Sequence, residues 1–409
     1  MVDPAAVAAL RDEVLDWRFR AVPASWHGRT IGEVLSARPR LFEDEGPDGP
    51  VAALDESALA HNLRAMADWC TRAGVWIAPH GKTTMAPQLV TRQIGAGAWG
   101  VTVASLAQAR MLRAFGVNPI VVANEVVAGL RWVAEEQRAD PEFRLLCWVD
   151  SPDGVALLEA GLAGNTAPRP LDVLVEVGVP GGRTGCRSLD AAVEVARSTV
   201  AAPHLRLAGV AGYEGVLDEV TAVDAFLDRL RDTAVRLDAL GLFDDTDEVL
   251  LSAGGSAFFD RVAEKLGTAL ARPARTVIRS GCYLTHDSGY YARLTPAARH
   301  ATGAPQFRDA LRVYARVLSR PEPGLALLGA GRRDLPYDQD LPVPVGRPGW
   351  RVTALNDQHA FVAVDPDDAV RVGEWVPLGV SHPCSLFDRW NLLPVTDGET
   401  VVDLVRTFF

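Results

Sequence analysis

Residues 75–89 read VWIAPHGKTTMAPQL. The chain stays apolar up to Ala78, then presents Pro79, His80, Gly81 and Lys82 before a helix-like segment resumes. An apolar run of this length, closed by proline and glycine, reads as a strand covered on both faces. It is the first of eight such runs; the others are Trp99–Val103, Pro119–Ala123, Phe143–Val149, Leu171–Val177, Leu205–Gly212, Glu248–Ser252 and Thr276–Leu284. They are rich in Val, Ile and Leu and do not alternate with polar residues, the pattern of a parallel sheet lying under helices. The segment before the seventh run keeps a helical period, with Val223, Phe226, Leu227, Leu230, Ala234 and Leu237 on one face. Eight strands alternating with helices predict a (β/α)8 TIM-type barrel, with an open doubly wound sheet as the structural alternative.

Beyond about residue 305 the texture changes. LRVYARVLS, WRVTALN, HAFVAV and VVDLVRTFF are short β-prone runs broken by PEPG, GAGRRD, GRPG and TDGE. That predicts an antiparallel β domain over residues 305–409, after a barrel over 48–304. Residues 1–47, closing with the turn-rich EDEGPDGP, are expected to join the β domain. A chain of 409 residues, 48% of them hydrophobic, is long enough for two such units and a large core. Its net charge of −11 argues against a nucleic-acid or anionic-membrane surface. No apolar run approaches the ~20 residues that span a bilayer. The amphipathic N-terminus, with its early acids, is unlike a secretory signal. Cys70, Cys147, Cys186, Cys282 and Cys384 are scattered and odd in number, which suits reduced thiols in a cytoplasm. The first four are expected to pack as small apolar side chains.

In a parallel barrel the reacting groups gather at the C-terminal strand ends. Lys82 follows the first run, Arg183 the fifth, Tyr213 the sixth, SAGGS (252–256) the seventh, and RSGCYLTHD (279–287) ends the eighth. Gly254 and Gly255 expose amides, and Ser256 is expected to open a helix. Together these make a cradle for a phosphate without a cationic side chain, or else an ordinary helix cap. Gly281, with Tyr283 beside it, offers a further amide. A lysine, a phosphate cradle and an arginine at successive barrel mouths match the needs of pyridoxal 5′-phosphate. Lys82 would attach it, and Arg183 would face its ring nitrogen. Taken singly, Lys82 reads as a surface lysine and Arg183 as half of an ion pair. His382 and Cys384, two apart in SHPCSLFDRW, would point the same way if extended and suit zinc, with open positions left for a substrate.

These stretches together resemble the D-serine dehydratase and D-threonine aldolase family: PHGKTTMAPQL, VGVPGGRTGC, GYEG, SAGGS, RRDLPYDQDLPVP and SHPCSLFDRWNLLPV. The resemblance runs from about residue 48 to the C-terminus. Its members are fold-type III pyridoxal phosphate enzymes with an alanine racemase-like barrel. It implies that Lys82 carries the cofactor and that His382 and Cys384 hold a divalent metal, zinc first, with manganese or magnesium as alternatives. It also implies a homodimer with its active site completed across the subunit interface. Thr84 and Met85 stand where family members often carry a second lysine or histidine, and Val216 where many carry histidine.

The expected activity is a dehydratase (ammonia-lyase) acting on D-serine or a related D-3-hydroxy amino acid, giving a 2-oxo acid and ammonia. The alternatives are retro-aldol cleavage to glycine and an aldehyde, as in D-threonine aldolase, and a non-catalytic pyridoxal phosphate carrier. Tyr213 is expected near the cofactor ring or in the core. His80 would line the pocket or shape its turn. His359 is a further candidate near the metal, and Arg333 and Asp340 are candidates to reach the partner subunit's site.

Overall fold

Eight parallel strands form a ring in the computed structural model of this chain. They are β2 (Trp76–Ile77), β3 (Val101–Val103), β4 (Ile120–Glu125), β5 (Leu145–Val149), β6 (Leu171–Val177), β7 (Leu205–Gly212), β8 (Val249–Ala253) and β9 (Ala274–Ile278). Their order is β2-β9-β8-β7-β6-β5-β4-β3. The two ends meet where Trp99 N–H donates to Ile77 O and Thr102 N–H to Pro79 O, both at 2.9 Å. A parallel bridge between His80 and Thr102 completes the closure. The structure describes every residue except 44, 45, 165, 167, 168, 268 and 269, so part of EDEGPDGP lies outside the described residues.

Strand parity organises the barrel interior. Val121, Leu146, Trp148, Leu174, Leu250 and Val277 pack together inside the ring. Below them, at the N-terminal strand ends, buried Asp172 pairs with Arg144 and Arg206. Further along three of the chain's barrel segments the same inward face carries Asp150 and Glu176, two residues beyond Trp148 and Leu174, and Glu125, four beyond Val121. The interior is thus apolar at mid-height and polar at the mouth. The helix Val220–Ala239 lays its predicted apolar face on the barrel, with Val223, Leu227, Leu230, Ala234 and Leu237 fully buried.

The second sheet contains β1 (Val51–Asp55), β10 (Leu311–Glu322), β11 (Leu325–Leu328), β12 (Val343–Pro344), β13 (Arg351–Leu355), β14 (Ala360–Ala363), β15 (Trp375–Gly379), β16 (Leu392–Asp397) and β17 (Thr400–Arg406). Its main order is β13-β14-β11-β10-β1-β16-β17, with β15 joining β10 to β12. Although β1 falls within 48–304, it belongs to this sheet, pairing antiparallel with β10 and parallel with β16. Its VAAL run is buried on both faces, Val51 and Ala53 against Leu15, Phe19, Trp26 and Ile31 from the N-terminal segment, and Ala52 and Leu54 in the main core. Among the described residues, no helix is long and apolar enough to cross a membrane.

Two local expectations change. The eighth strand stops at Ile278, and Arg279–Leu284 turn across the barrel mouth. The helix after β8 starts at Phe259 rather than Ser256, leaving residues 256–258 as a bend.

Candidate active site

Past β2, Pro79 and His80 lead into a single 3-10 turn, Gly81–Thr83, that carries Lys82. Lys82 lines a cavity of about 230 Å³ at the barrel mouth, facing His80, Glu176, Arg183, Tyr213 and Arg279. His80 lines the cavity as well as shaping the turn, and its buried Nδ1 has no partner. Burial, and then the charge of Lys82, hold its imidazole well below the usual histidine value. A neutral imidazole therefore neighbours the lysine.

The expected phosphate cradle is only partly free. The N–H groups of Gly254 and Gly255 donate to Glu214, at 2.9 Å to Oε2 and 2.6 Å to Oε1. A fully buried carboxylate from GYEG thus takes both amides that were assigned to a phosphate. Gly254 is still required, because its φ of +98° lies where side chains are strained. The Ser256 hydroxyl accepts from Cys282 N–H at 3.2 Å, tying the β8 and β9 ends together. The amides of Ser256 and Gly281 have no protein acceptor among the described residues. They are free donors in the two stretches whose Gly254, Gly255 and Arg279 line the cavity.

Gly281 also sets how closely the wall approaches the Lys82 turn. A Cβ there would lie 2.6 Å from His80 O, a backbone atom that cannot move aside cheaply. Gly281→Ala is expected to cost about 1–3 kcal/mol of stability from overpacking. It should also lower the gain in melting temperature on adding pyridoxal phosphate, as read by thermal unfolding with and without the cofactor.

Sequence reasoning singled out Arg183 and passed over Arg279. Arg183 is exposed at the rim, its guanidinium 4.6 Å from the Tyr213 ring centroid. Arg279 is 5% exposed and donates to Ser252 Oγ and Gly212 O, both at 2.7 Å. Both acceptors are neutral, so a buried cation faces the cavity with donors to spare, an arrangement suited to an anionic or electron-rich ligand. Tyr213 lies against Gly255, and burial pushes its hydroxyl up to about 12. Tyr283 turns away, since its hydroxyl accepts from Gln93 in the buried core at 3.2 Å. Any ligand contact from that residue is left to its amide.

His382 and Cys384 come together, but not as an extended pair. His382 is left-handed, at φ +64°, and Cys384 opens the short helix Cys384–Phe387. Buried Asp287 holds this turn, accepting N–H bonds from His382 at 2.9 Å and from Tyr291 at 3.1 Å. His382 Nδ1 meets the Asp338 carboxylate, which leaves Nε2 as the ligand atom and fixes the ring. Cys384 Sγ lies 3.4 Å from Cys282 Sγ and 3.2 Å from Thr83 Oγ1. Cys282, expected only to pack, is a neighbour of the pair. Its S–H bond is the first cause that holds Cys384 well below the ordinary thiol value, and Cys282 is raised in turn. The His382 imidazole is raised to about 9, chiefly by its bond with Cys384. A readily formed thiolate, an imidazole and a carboxylate behind it are donors that fit a divalent metal. His359 is exposed. Asp340 bonds to Ser381 and Arg293 of its own chain.

The chain matches the family described as "Alanine racemase, N-terminal domain" over residues 54–287, and "Putative serine dehydratase domain" over 310–396. A D-threonine aldolase from Arthrobacter sp. is 28% identical, over 87% of this chain and 91% of the relative. A D-threo-3-hydroxyaspartate dehydratase from Delftia sp. is 26% identical, over 83% of this chain and 91% of the relative. The solved D-threonine aldolase of Filomicrobium marinum superposes with a TM-score of 0.74 at 27% identity, covering 88% of this chain and 95% of that one. A D-threo-3-hydroxyaspartate dehydratase, solved as a cysteine-to-alanine variant in the metal-free form, superposes with a TM-score of 0.70 at 21% identity, covering 90% and 99%. With more than half its length matched, the chain belongs to the alanine racemase N-terminal domain family and is a fold-type III pyridoxal phosphate protein with a C-terminal antiparallel β domain.

Proposed function

We propose that this protein is a lyase that uses pyridoxal phosphate and a divalent metal to dehydrate a D-3-hydroxy amino acid, yielding a 2-oxo acid and ammonia. The observation that carries this is the 3.2 Å contact between Thr83 Oγ1 and Cys384 Sγ. It sets the metal pair directly beside the turn that carries Lys82, within one chain. Pyridoxal phosphate, when bound, supplies the electron sink that lets a bond to Cα break. A metal on His382 and Cys384 supplies a Lewis acid for the β-hydroxyl, and the thiolate favours zinc over manganese or magnesium.

The chain's own residues do the rest. Lys82 holds the cofactor, and its amine takes the Cα proton as general base. The amides of Ser256 and Gly281 hold the phosphate, while Glu214 keeps Gly254 and Gly255 in shape for them. Arg279, rather than Arg183, faces the ring nitrogen, because it is buried in the wall with unspent donors. Rim-exposed Arg183, steadied on Tyr213, is left to take the substrate carboxylate. The five free thiols suit a reducing cytoplasm. Tyr337, 49% exposed, and Arg333 beside it project from the RRDLPYDQDLPVP loop and suit a homodimer in which this face meets a second copy.

Dehydration is preferred to cleavage because of the thiolate ligand. In the D-threo-3-hydroxyaspartate dehydratase, a histidine and a cysteine two positions apart have each been replaced by alanine, the cysteine variant being the metal-free form. His382 and Cys384 have the same spacing. Retro-aldol cleavage is the second reading, favoured by the two D-threonine aldolases among the relatives. Incubation with D-threonine, D-threo-3-hydroxyaspartate and D-serine, with glycine, 2-oxo acid and ammonia assayed separately, tests the choice. The expected products are 2-oxo acid and ammonia in equal amounts. Glycine without 2-oxo acid would replace dehydration by cleavage.

A further inference from the structure

Three carboxylates crowd the barrel mouth on the side of the ring away from β8 and β9. Glu125 ends β4, Asp150 follows β5, and Glu176 is the next-to-last residue of β6. One oxygen from each lies within 4.8 Å of the others. Strand parity places all three on the inward face, above Val121, Trp148 and Leu174. This is part of the active-site mouth, and Glu176 itself lines the cavity that holds Lys82.

Their hydrogen bonding is incomplete. Glu176 is 5% exposed, yet its buried Oε2 has no partner. Both oxygens of Glu125 are likewise buried and unpartnered. Asp150 is anchored through one oxygen, accepting from Gly185 N–H at 2.9 Å, which leaves the other to the cluster. Three acceptor-only groups facing one another cannot satisfy themselves without a proton or a cation between them. Burial first, then a carboxyl–carboxyl hydrogen bond with Glu176 and the charges of Glu176 and Asp150, push the Glu125 carboxyl up to about 8. The arrangement differs from Asp172 lower in the barrel, where two arginines already neutralise the charge.

We propose that Glu125, Asp150 and Glu176 form a second cation site, separate from His382 and Cys384, that takes a hard divalent ion such as Mg²⁺, Mn²⁺ or Ca²⁺. All the donors are oxygen, which selects these ions over zinc. Three protein ligands leave about half of a six-coordinate shell open. Through Glu176 those open positions face the cavity, where water or an anionic group of a bound small molecule completes the shell. Binding displaces the proton the carboxyls otherwise share, so one proton leaves as the ion enters.

Mn²⁺ binding to the full-length, cofactor-loaded protein, counted by electron paramagnetic resonance, tests the proposal independently of any turnover. The wild type is expected to bind two equivalents. Cys384→Ala should keep one, and Glu125→Gln should lose that one while keeping the other. Ca²⁺ should displace Mn²⁺ from Cys384→Ala, because no thiolate is involved there. Asp150→Asn provides a second variant should Glu125→Gln fail to fold. A single equivalent in the wild type with none in Cys384→Ala would overturn the proposal. So would two equivalents retained in both Glu125→Gln and Asp150→Asn.

Discussion

Lys82→Ala is expected to lower turnover of any accepted D-3-hydroxy amino acid by at least ~1,000-fold, the upper part of what a positioned general base contributes. One amine is given two tasks here, covalent attachment and proton transfer, and no second amine stands by to replace it. Thr84 and Met85 occupy the positions just beyond, and His80 is held neutral on the other side. The other residues lining the cavity are unchanged by the substitution, and Gly81 and Thr83 stay buried on either side of position 82. The variant should therefore fold and still bind pyridoxal phosphate weakly and reversibly, lost on dialysis. Retained activity within tenfold of wild type would remove Lys82 from the chemistry.

Cys384→Ala should abolish tight metal binding at the His382 site and reduce turnover by ~1,000-fold, equivalent to about 4 kcal/mol of transition-state stabilisation. Cofactor attachment should survive, because the hydrogen-bonding contact that joins Cys384 to the lysine turn is made by Thr83. That separation distinguishes a metal defect from a collapsed site. His382→Ala should behave the same way, while chelation of the wild type should reproduce both and be reversed by added metal. Asp338→Asn is milder. It keeps both ligands and loses only the carboxylate behind the imidazole, for which a 10–100-fold loss of metal affinity is the usual scale. Full activity of Cys384→Ala after exhaustive chelation would separate the reaction from the metal.

The barrel was legible because burial on both faces writes itself into composition. Runs such as LDVLVEV, every residue of which is buried, cannot belong to a half-exposed strand. Lys82 stood out for a related reason, as a charged residue placed directly after such a run. β1 was harder: VAALD looks like one more barrel strand, and only its partners, far along the chain, place it in the other sheet. Cys282 and Cys384 are 102 residues apart, and the His382 turn beside Cys384 is held by Asp287, five residues beyond Cys282. Glu214 and Arg279 sat in motifs already under inspection, GYEG and RSG. Their roles depend on which backbone groups the strands bring opposite them, which local pattern does not encode. The extended reading of His382 and Cys384 failed because the backbone turns left-handed at His382, where side-chain alternation no longer applies.

Borohydride reduction of the purified, cofactor-loaded protein, followed by peptide mass mapping, addresses the central claim most directly. The account predicts a reduced pyridoxyl group on the peptide spanning residues 75–89, at Lys82, and on no other lysine. Label at a different residue, or none with the cofactor in excess, would contradict it.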